Sequence, residues 1–184
     1  MARVIAERAD VVPLLAEVFR AYGFEGASLA RITEGTRLGK GSIYNFFPGG
    51  KEEMADAVLG EIDAWFRLHV FEPLQESADA AGGIVHMFDQ VERYFLSGRK
   101  VCLVAVFALG NERDRFAIKV RDYFAAWVDA LSSALVRSGR SGTEAAALAE
   151  EVVCGIQGAL VLARAFDRPQ VFANAMQRLR SRLA

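Results

Sequence analysis

The chain has 184 residues, of which 53% are hydrophobic and 24% charged, and its net charge is −1. This composition excludes an intrinsically disordered chain, and a count of two cysteines, Cys102 and Cys154, excludes a disulfide scaffold. The longest apolar run, residues 101–110, is about half as long as a bilayer span requires. Because charged residues are scattered through the first ten positions, where a secretion signal needs an apolar stretch, we expect a cytoplasmic protein of one or two domains with no membrane partner.

The first 50 residues predict three short helices. Apolar side chains in residues 11–22 recur every three or four positions, which indicates one helix with Asp10 as its N-cap and Gly23 at its end. Ser28 is expected to cap a second helix, and a turn at residues 36–39 leads to the third. The expected helices are residues 10–23, 28–35 and 40–47.

The rest of the chain predicts longer helices. Residues 101–109 are apolar on all sides, which fits a buried helix or a buried strand, and we assign a helix because no partner strand is apparent. The expected helices are residues 51–74, 79–97, 101–109, 112–137, 143–166 and 170–183. The sequence therefore predicts an all-α fold of about nine helices, with a three-helix domain at residues 1–50 and a larger helical domain at residues 51–184.

Residues 28–51 have the spacing of a helix-turn-helix, in which two short helices are joined by a turn of three or four residues. Leu29 and Ile43 are among the apolar residues spaced to pack the two helices together. A lysine, a hydroxyl, a phenol and an amide are left to point outward, and such groups can bond phosphates and base edges. A helical hairpin with a solvated polar face fits this spacing equally well. The outward residues are Lys40, Gly41, Ser42, Tyr44 and Asn45.

Three segments, residues 19–32, 38–47 and 51–54, together resemble the tetracycline-repressor (TetR) family of transcriptional regulators. The Phe-Pro-Gly-Gly-Lys string at residues 47–51 is similar to the LmrA/YxaF-like branch of that family. The resemblance covers about residues 10–60, and beyond them it extends only to helix number and length. It implies a dimer that places two helix-turn-helix domains in successive major grooves of a pseudo-palindromic operator.

The resemblance also implies roles for single residues. Ser28 would cap the second helix against a phosphate, and Lys51 would bond a phosphate from the first turn of the fourth helix. Arg37 stands where the family usually has a glycine in the turn, which would add a cation there. Asn45 and Phe46 replace a commoner His/Tyr pair, so the base preference of the family does not carry over. The implied DNA-binding residues are Ser28, Arg37, Lys40, Gly41, Ser42, Tyr44, Asn45 and Lys51.

Aromatic and sulfur-containing side chains are concentrated in the larger domain. They fit ordinary core packing, and some fit the lining of a cavity between helices, where ligand sites commonly lie. The family resemblance favours the cavity, because such repressors bind an inducer there. Charged residues are sparse on these helix faces, so we expect an apolar or aromatic ligand. The candidate contacts are Trp65, Met87, Phe88, Val91, Phe95, Cys102, Phe107, Phe116, Tyr123, Phe124 and Trp127.

Small residues recur at four-residue steps in the helix expected at residues 143–166. This pattern fits close packing within the chain, and it fits equally a dimer face shared with the helix at residues 170–183. A dimer would supply the symmetry that a helix-turn-helix protein needs to reach two half-sites. The candidate interface residues are Val152, Gly155, Ile156, Ala159, Leu162, Ala163, Phe172 and Met176.

No complete catalytic, cofactor or metal motif is apparent. Ser97 and Lys100 match S-x-x-K without the further motifs of that enzyme class, and His69 and His86 have no metal-ligand spacing with each other or with the cysteines. We therefore predict a ligand-responsive repressor that needs no cofactor and is not an enzyme. A helical binding or carrier protein without specific DNA binding is the alternative, and an enzyme ranks third.

Overall fold

The computed structural model describes residues 7–110 and 113–183, and every regular element within them is helical. The helices are α1 (Arg8–Gly26), α2 (Leu29–Thr36), α3 (Lys40–Phe46), α4 (Gly50–Phe66), α5 (Glu72–Glu76), α6 (Ala80–Tyr94), α7 (Leu103–Leu109), α8 (Arg113–Arg137), α9 (Gly142–Ala165) and α10 (Gln170–Leu183). A π-helical turn at Arg67–Phe71 joins α4 to α5 without a break, so the described residues form nine helices. The predicted all-α fold is confirmed, while the start expected for α8 at residue 112 lies outside the described residues.

The first helix differs from the prediction at both ends. Glu7 is its N-cap, and the backbone N–H of Glu7 donates to the carboxylate of Asp10 at 3.3 Å. The prediction of Asp10 as N-cap was wrong because this carboxylate serves the helix terminus from the third helical position, as in a capping box. Gly23 has a φ of +66°, but the chain resumes helical turns beyond this kink and ends at Gly26. Tyr22, at the end of the expected apolar stripe, is half-exposed.

The described residues fold into two compact units. Unit 1 takes α1, α2, α3, α4 as far as Asp63, α7, and α8 as far as Val120. Unit 2 takes the end of α4 from Ala64, the π-helical turn, α5, α6, a short 3-10 turn at Leu96–Gly98, α8 from Arg121, α9 and α10. Two helices, α4 and α8, thus contribute residues to both units.

Unit 1 is built around aromatic rings and one close helix contact. Phe19, Phe24, Phe107 and Phe116 are buried, and their ring centroids lie 5.1 to 6.1 Å apart in the contacting pairs. α1 and α2 approach closely at Gly35, where a Cβ atom would lie 2.4 Å from a methyl group of α1. The hairpin of α2 and α3 therefore rests on a core that α7 and the start of α8 help to form.

In unit 2, α9 and α10 pack against each other along small residues. A Cβ atom on Gly155 would lie 3.0 Å from the side chain of Leu179 on α10. Among the described helices, α9 alone is long and apolar enough to cross a bilayer, with a mean hydropathy of 1.6 over 18 residues. The chain itself buries 44% of that stretch, and a core helix of a soluble protein has the same length and composition. More than half of this apolar stretch is therefore not covered by the chain.

Candidate functional site

Helices α2 and α3 form a helix-turn-helix whose turn is fixed by local hydrogen bonds. The Ser28 hydroxyl accepts from the backbone N–H of Arg31, which caps α2 as expected. The Thr36 hydroxyl is buried, donates to the carbonyl of Ile32 at 2.7 Å and accepts from the backbone N–H of Leu38 at 3.4 Å. This hydroxyl therefore ties the last turn of α2 to the segment that leads into α3.

Arg37 ends α2 in the left-handed conformation, with φ +59° and ψ +25°. A non-glycine residue in this region crowds its Cβ against the backbone and is costly, so the conformation favours glycine. The side chain of Arg37 is exposed. Arg37 adopts the conformation that the turn requires, and it places a cation at the surface.

The exposed face of α3 is polar and uncrowded. Ile43 is fully buried between the helices, while the residues around it face solvent, and the Tyr44 ring is 42% exposed. A Cβ atom on Gly41 would meet nothing within 4 Å. The glycine therefore has no packing role within unit 1, and it leaves backbone open at the start of the helix. The structure brings together on this one surface Lys40, Gly41, Ser42, Tyr44 and Asn45.

Lys51 lies in the first turn of α4, where its side chain is partly buried and its ammonium group already contacts other residues. Its Nζ lies 3.9 Å from a carboxylate oxygen of Glu25 and 4.4 Å from the ring centroid of Phe24. The guanidinium carbon of Arg115 also lies near this ring, 5.3 Å from its centroid. To bond a phosphate, Lys51 must exchange these partners for the anion.

Two ion pairs join α4 to the start of α8 within unit 1. They were not predicted from the sequence. Arg115 lies 3.0 Å from Glu52, and Lys119 lies 2.7 Å from Asp56. Each pair is about half-exposed, so each contributes little by itself. The sequence does show acidic residues four positions apart on α4 and basic residues four positions apart on α8. Only the fold shows that these two helices are neighbours and that the charges pair.

The residues expected to contact a ligand fall into both units. Phe107 and Phe116 pack in the core of unit 1 against α1, so they lie in a different unit from the other candidates, and a ligand contact at either residue stays a prediction. Their helices were expected to line the larger domain, but α7 and the first turns of α8 belong to unit 1. The candidates placed in unit 2 are Trp65, Met87, Phe88, Val91, Phe95, Cys102, Tyr123, Phe124 and Trp127.

Phe66 lies at the centre of the aromatic cluster in unit 2. Its ring centroid is 4.8 Å from that of Tyr94 and 5.2 Å from those of Tyr123 and Trp127. The side chain of Trp127 is fully buried, and no acceptor among the described residues lies within hydrogen-bond distance of its indole nitrogen. Buried indole N–H groups usually find a partner, so this one requires an explanation.

Most residues expected at a dimer face are core residues of unit 2. The side chains of Val152, Ile156, Ala163, Phe172 and Met176 are at most 2% exposed, so they support the alternative of packing within the chain. A side chain without exposed surface cannot contact a second copy. Ala159 is 5% exposed, whereas Leu162 is 46% exposed and Gly155 is partly exposed.

A groove of about 460 Å³ between α9 and α10 holds the remaining interface candidates. Its floor is apolar, and charged side chains of both signs stand at its edges. Val161, which is 59% exposed on α9, is absent from the predicted interface residues. The residues lining the groove are Glu151, Gly155, Gly158, Ala159, Leu162, Val171, Ala175, Arg178, Leu179 and Arg182.

Among the described residues, no group of three or more His, Cys, Asp or Glu side chains is placed to hold a metal ion. Cys102 is buried and Cys154 is exposed on α9, so the two thiols differ in their surroundings. The surfaces best suited to bind another molecule are the polar face of α3, the aromatic cluster of unit 2 and the groove of α9 and α10.

Comparisons with known proteins bear on both parts of the chain. A model described as "bacterial regulatory proteins, tetR family" matches residues 15–58, and a model described as "transcriptional regulator LmrA/YxaF-like, C-terminal domain" matches residues 80–178. A curated relative, the HTH-type transcriptional regulator LmrA of Bacillus subtilis, is 26% identical over 161 residues, which cover 84% of this chain and 85% of the relative.

Solved structures share the fold. A TetR transcriptional regulator from Legionella pneumophila superposes with a TM-score of 0.81 at 18% identity and covers both chains completely. A variant of the TetR family regulator CifR, whose structure includes a complex with 26-bp double-stranded operator DNA, gives a TM-score of 0.73 at 21% identity and covers 98% of each chain.

Proposed function

Because the chain belongs to the LmrA/YxaF-like branch of the TetR family of transcriptional regulators, we propose that it is a dimeric repressor released from its operator by a small molecule. In this proposal, residues 1–50 bind DNA and residues 51–184 bind the ligand and the second copy. The protein acts in the cytoplasm, where it meets DNA, and it has no enzymatic reaction of its own.

The observation that carries the proposal is the exposed polar face of α3. One apolar residue, Ile43, anchors the helix in the hairpin, and the rest of the surface offers groups that suit DNA. The lysine and the hydroxyls suit phosphate oxygens, the Asn45 amide suits base edges, and Gly41 admits the DNA close to the backbone. The exposed Arg37 adds a cation beside this face.

A second copy is needed for two reasons. A single α3 reads one half-site, and a symmetric pair reads two half-sites about 34–36 Å apart. The groove of α9 and α10 supplies a surface for this pairing, because Leu162 is exposed there beside small residues that permit close helix approach. An isologous contact of this face with itself would cover the apolar stretch of α9 that the chain leaves open.

We place the ligand in unit 2, at its aromatic cluster. An apolar or aromatic molecule suits this cluster chemically, because its rings offer stacking partners around Phe66. The ligand can release the protein from DNA only if it binds the non-DNA-binding conformation more tightly, since equal affinity for both conformations shifts no population. α4 and α8, which contribute to both units, are the connections through which such a shift would reach α3.

The proposal is tested by selection of duplex DNA from a random pool with the purified full chain. We expect the enriched sequences to contain an inverted repeat whose half-site centres are about one helical turn apart. The matched control is the Asn45→Ala variant, which keeps the hairpin but loses the amide, and it should relax the preference at one position of each half-site. A pool that stays random after selection would favour the carrier alternative.

A further inference from the structure

Unit 2 contains one place where three unfavourable local features meet. They are a buried indole N–H without a partner, a π-helical turn and a backbone turn in the left-handed region. Phe66 links them: its ring lies 5.2 Å from that of Trp127 and 6.1 Å from that of Phe95, which precedes the left-handed turn, and the π-helical turn begins one residue after it. The inference drawn from them rests on the proposed function, in which unit 2 binds a small molecule.

The first feature is Trp127, whose side chain has no exposed surface. Three rings surround it, those of Phe66, Phe71 and Tyr123, with centroids 5.2 to 6.4 Å away. Its N–H has lost the hydrogen bonds of water, and no acceptor from the described residues replaces them. A buried donor in this state raises the free energy of the folded chain, and an acceptor brought from outside would lower it.

The second feature is the π-helical turn at Arg67–Phe71, which begins one residue after Phe66. An extra residue per turn widens the helix, and such turns are frequent at functional sites. The turn sets the direction of Phe71, one of the rings around the indole. The widened backbone also lets Phe66 and Phe71 lie on the same side of the helix, 5.9 Å apart.

The third feature is the segment that follows Phe95. Leu96 and Ser97 have φ values of +50° and +52°, and Gly98 continues the segment at +91°. Two consecutive non-glycine residues in this region are strained, and strained segments persist where the surroundings hold them in place. Gly98 is held against α10, since a Cβ atom there would lie 2.6 Å from the Cβ of Phe172.

We propose that the small molecule recognised by unit 2 is an aromatic compound with a hydrogen-bond acceptor, and that this acceptor takes the N–H of Trp127. The aromatic part of the ligand stacks among the rings around Phe66. The acceptor is a carbonyl, ether or ring nitrogen atom, because the indole N–H can only donate. A hydrocarbon of the same shape fills the same space but leaves the indole without its partner, so Trp127 sets the chemical preference of the site.

The test uses naphthalene and quinoline, which have the same shape and differ by one acceptor nitrogen. Equilibrium dialysis of the full chain with each compound gives two dissociation constants and their ratio. Compared with the wild type, Trp127→Phe should reduce the preference for quinoline by at least about fivefold, the size of one net hydrogen bond. Comparing ratios between variants removes the difference in water solubility between the two compounds.

The matched control is Trp65→Phe, the same substitution at the other tryptophan of the chain and in the same cluster. It removes as much volume, so it should weaken both compounds alike and keep the ratio of the wild type. A ratio unchanged by Trp127→Phe, or changed equally by both variants, would overturn the proposal. Failure of the wild type to bind either compound would overturn it as well.

A second measurement needs no folded variant of Trp127. With two tryptophans in the sequence, a nitrogen-15 spectrum has two indole N–H signals, and Trp65→Phe assigns them. Quinoline should move the Trp127 signal downfield, and naphthalene should move it much less. Equal shifts with both compounds would contradict the proposal. Selection of operator DNA with the same preparation tests the proposed function separately from the role of Trp127. If the protein still enriches an inverted repeat but shows no preference for quinoline, only the role of Trp127 is refuted.

Discussion

At the scale of single residues, a substitution at Gly41 tests DNA binding without destabilising the fold. The Cβ atom of an alanine at this position would meet no packed side chain within 4 Å. Alanine also favours a helix over glycine by up to about 1 kcal/mol, so Gly41→Ala should be as stable as the wild type or more so. If DNA lies against the start of α3, the added methyl group should lower operator affinity by at least about tenfold, or ~1.4 kcal/mol.

The control for this substitution is Gly60→Ala, which also adds a methyl group into open space, on α4 of unit 1. Its operator affinity, measured by fluorescence anisotropy, should equal that of the wild type. Equal affinities for Gly41→Ala and Gly60→Ala would remove the start of α3 from the interface with DNA.

Arg37 combines a backbone cost with an electrostatic role. Arg37→Gly should raise the free energy of unfolding by up to about 1 kcal/mol, because glycine adopts the left-handed conformation without strain. The same change removes one cation, so the slope of log affinity against log salt should become shallower by about one unit if Arg37 contacts a phosphate. Denaturant titration and anisotropy at several salt concentrations measure the two effects.

Arg37→Lys is the matched variant, since it keeps the charge and the positive φ. It should keep the salt slope of the wild type and show none of the gain in stability. A slope that is the same for Arg37→Gly and Arg37→Lys would show that Arg37 makes no phosphate contact, whatever the change in stability.

At the scale of helices, periodicity and capping residues predicted most of the fold. Ser28, Asp79 and Ser141 cap helices close to the expected starts, because their side chains accept from backbone N–H groups that the helix leaves unpaired. The expected helix at residues 170–183 matches α10 at both ends. Local signals of this kind depend on neighbours in sequence, so the sequence alone contains them.

Features set by contacts distant in sequence could not be predicted in this way. The π-helical turn at Arg67–Phe71 puts Phe66 and Phe71, five positions apart, on one side of the helix, a spacing that the three- and four-residue steps of an α-helix do not predict. The packing of Phe107 and Phe116 into unit 1 depends on which helices meet in space. For the same reason the small residues of α9 did not show which side of the helix is core and which lines the groove.

The ion pairs between α4 and α8 give a prediction at this scale. Removing both cations in Arg115→Ala with Lys119→Ala should lower the free energy of unfolding by about 2 kcal/mol at most, because the pairs are half-exposed. The loss should shrink at 1 M salt, which screens such pairs. Arg121→Ala, whose partner is the adjacent Asp122, is the control. Denaturant titrations at two salt concentrations measure this loss of unfolding free energy. A loss of the same size at high salt would contradict the electrostatic interpretation.

At the scale of the whole molecule, the proposed function depends on whether α9 and α10 pair with a second copy. Leu162→Arg places a charge on the exposed wall of the groove, where a partner would have to bury it. The variant should therefore be monomeric by sedimentation equilibrium, with an unchanged helical circular dichroism spectrum. Its operator affinity should fall by at least about 100-fold, because each copy then binds one half-site alone.

Leu68→Arg is the matched control, since Leu68 is 60% exposed in unit 2 and does not line the groove. It should remain dimeric and bind the operator as the wild type does. Should Leu162→Arg stay dimeric, the pairing surface would have to lie elsewhere on the molecule.

The central claim is that this chain reads an inverted repeat in DNA as a dimer. The most direct measurement is fluorescence anisotropy of the full chain on labelled duplex DNA from the region flanking its own gene, with a scrambled duplex as control and at two salt concentrations. We expect saturable binding at two chains per site, or a multiple of two, and at least about 10³-fold tighter than to the scrambled duplex. Equal, weak binding to both duplexes that disappears as salt rises would contradict it.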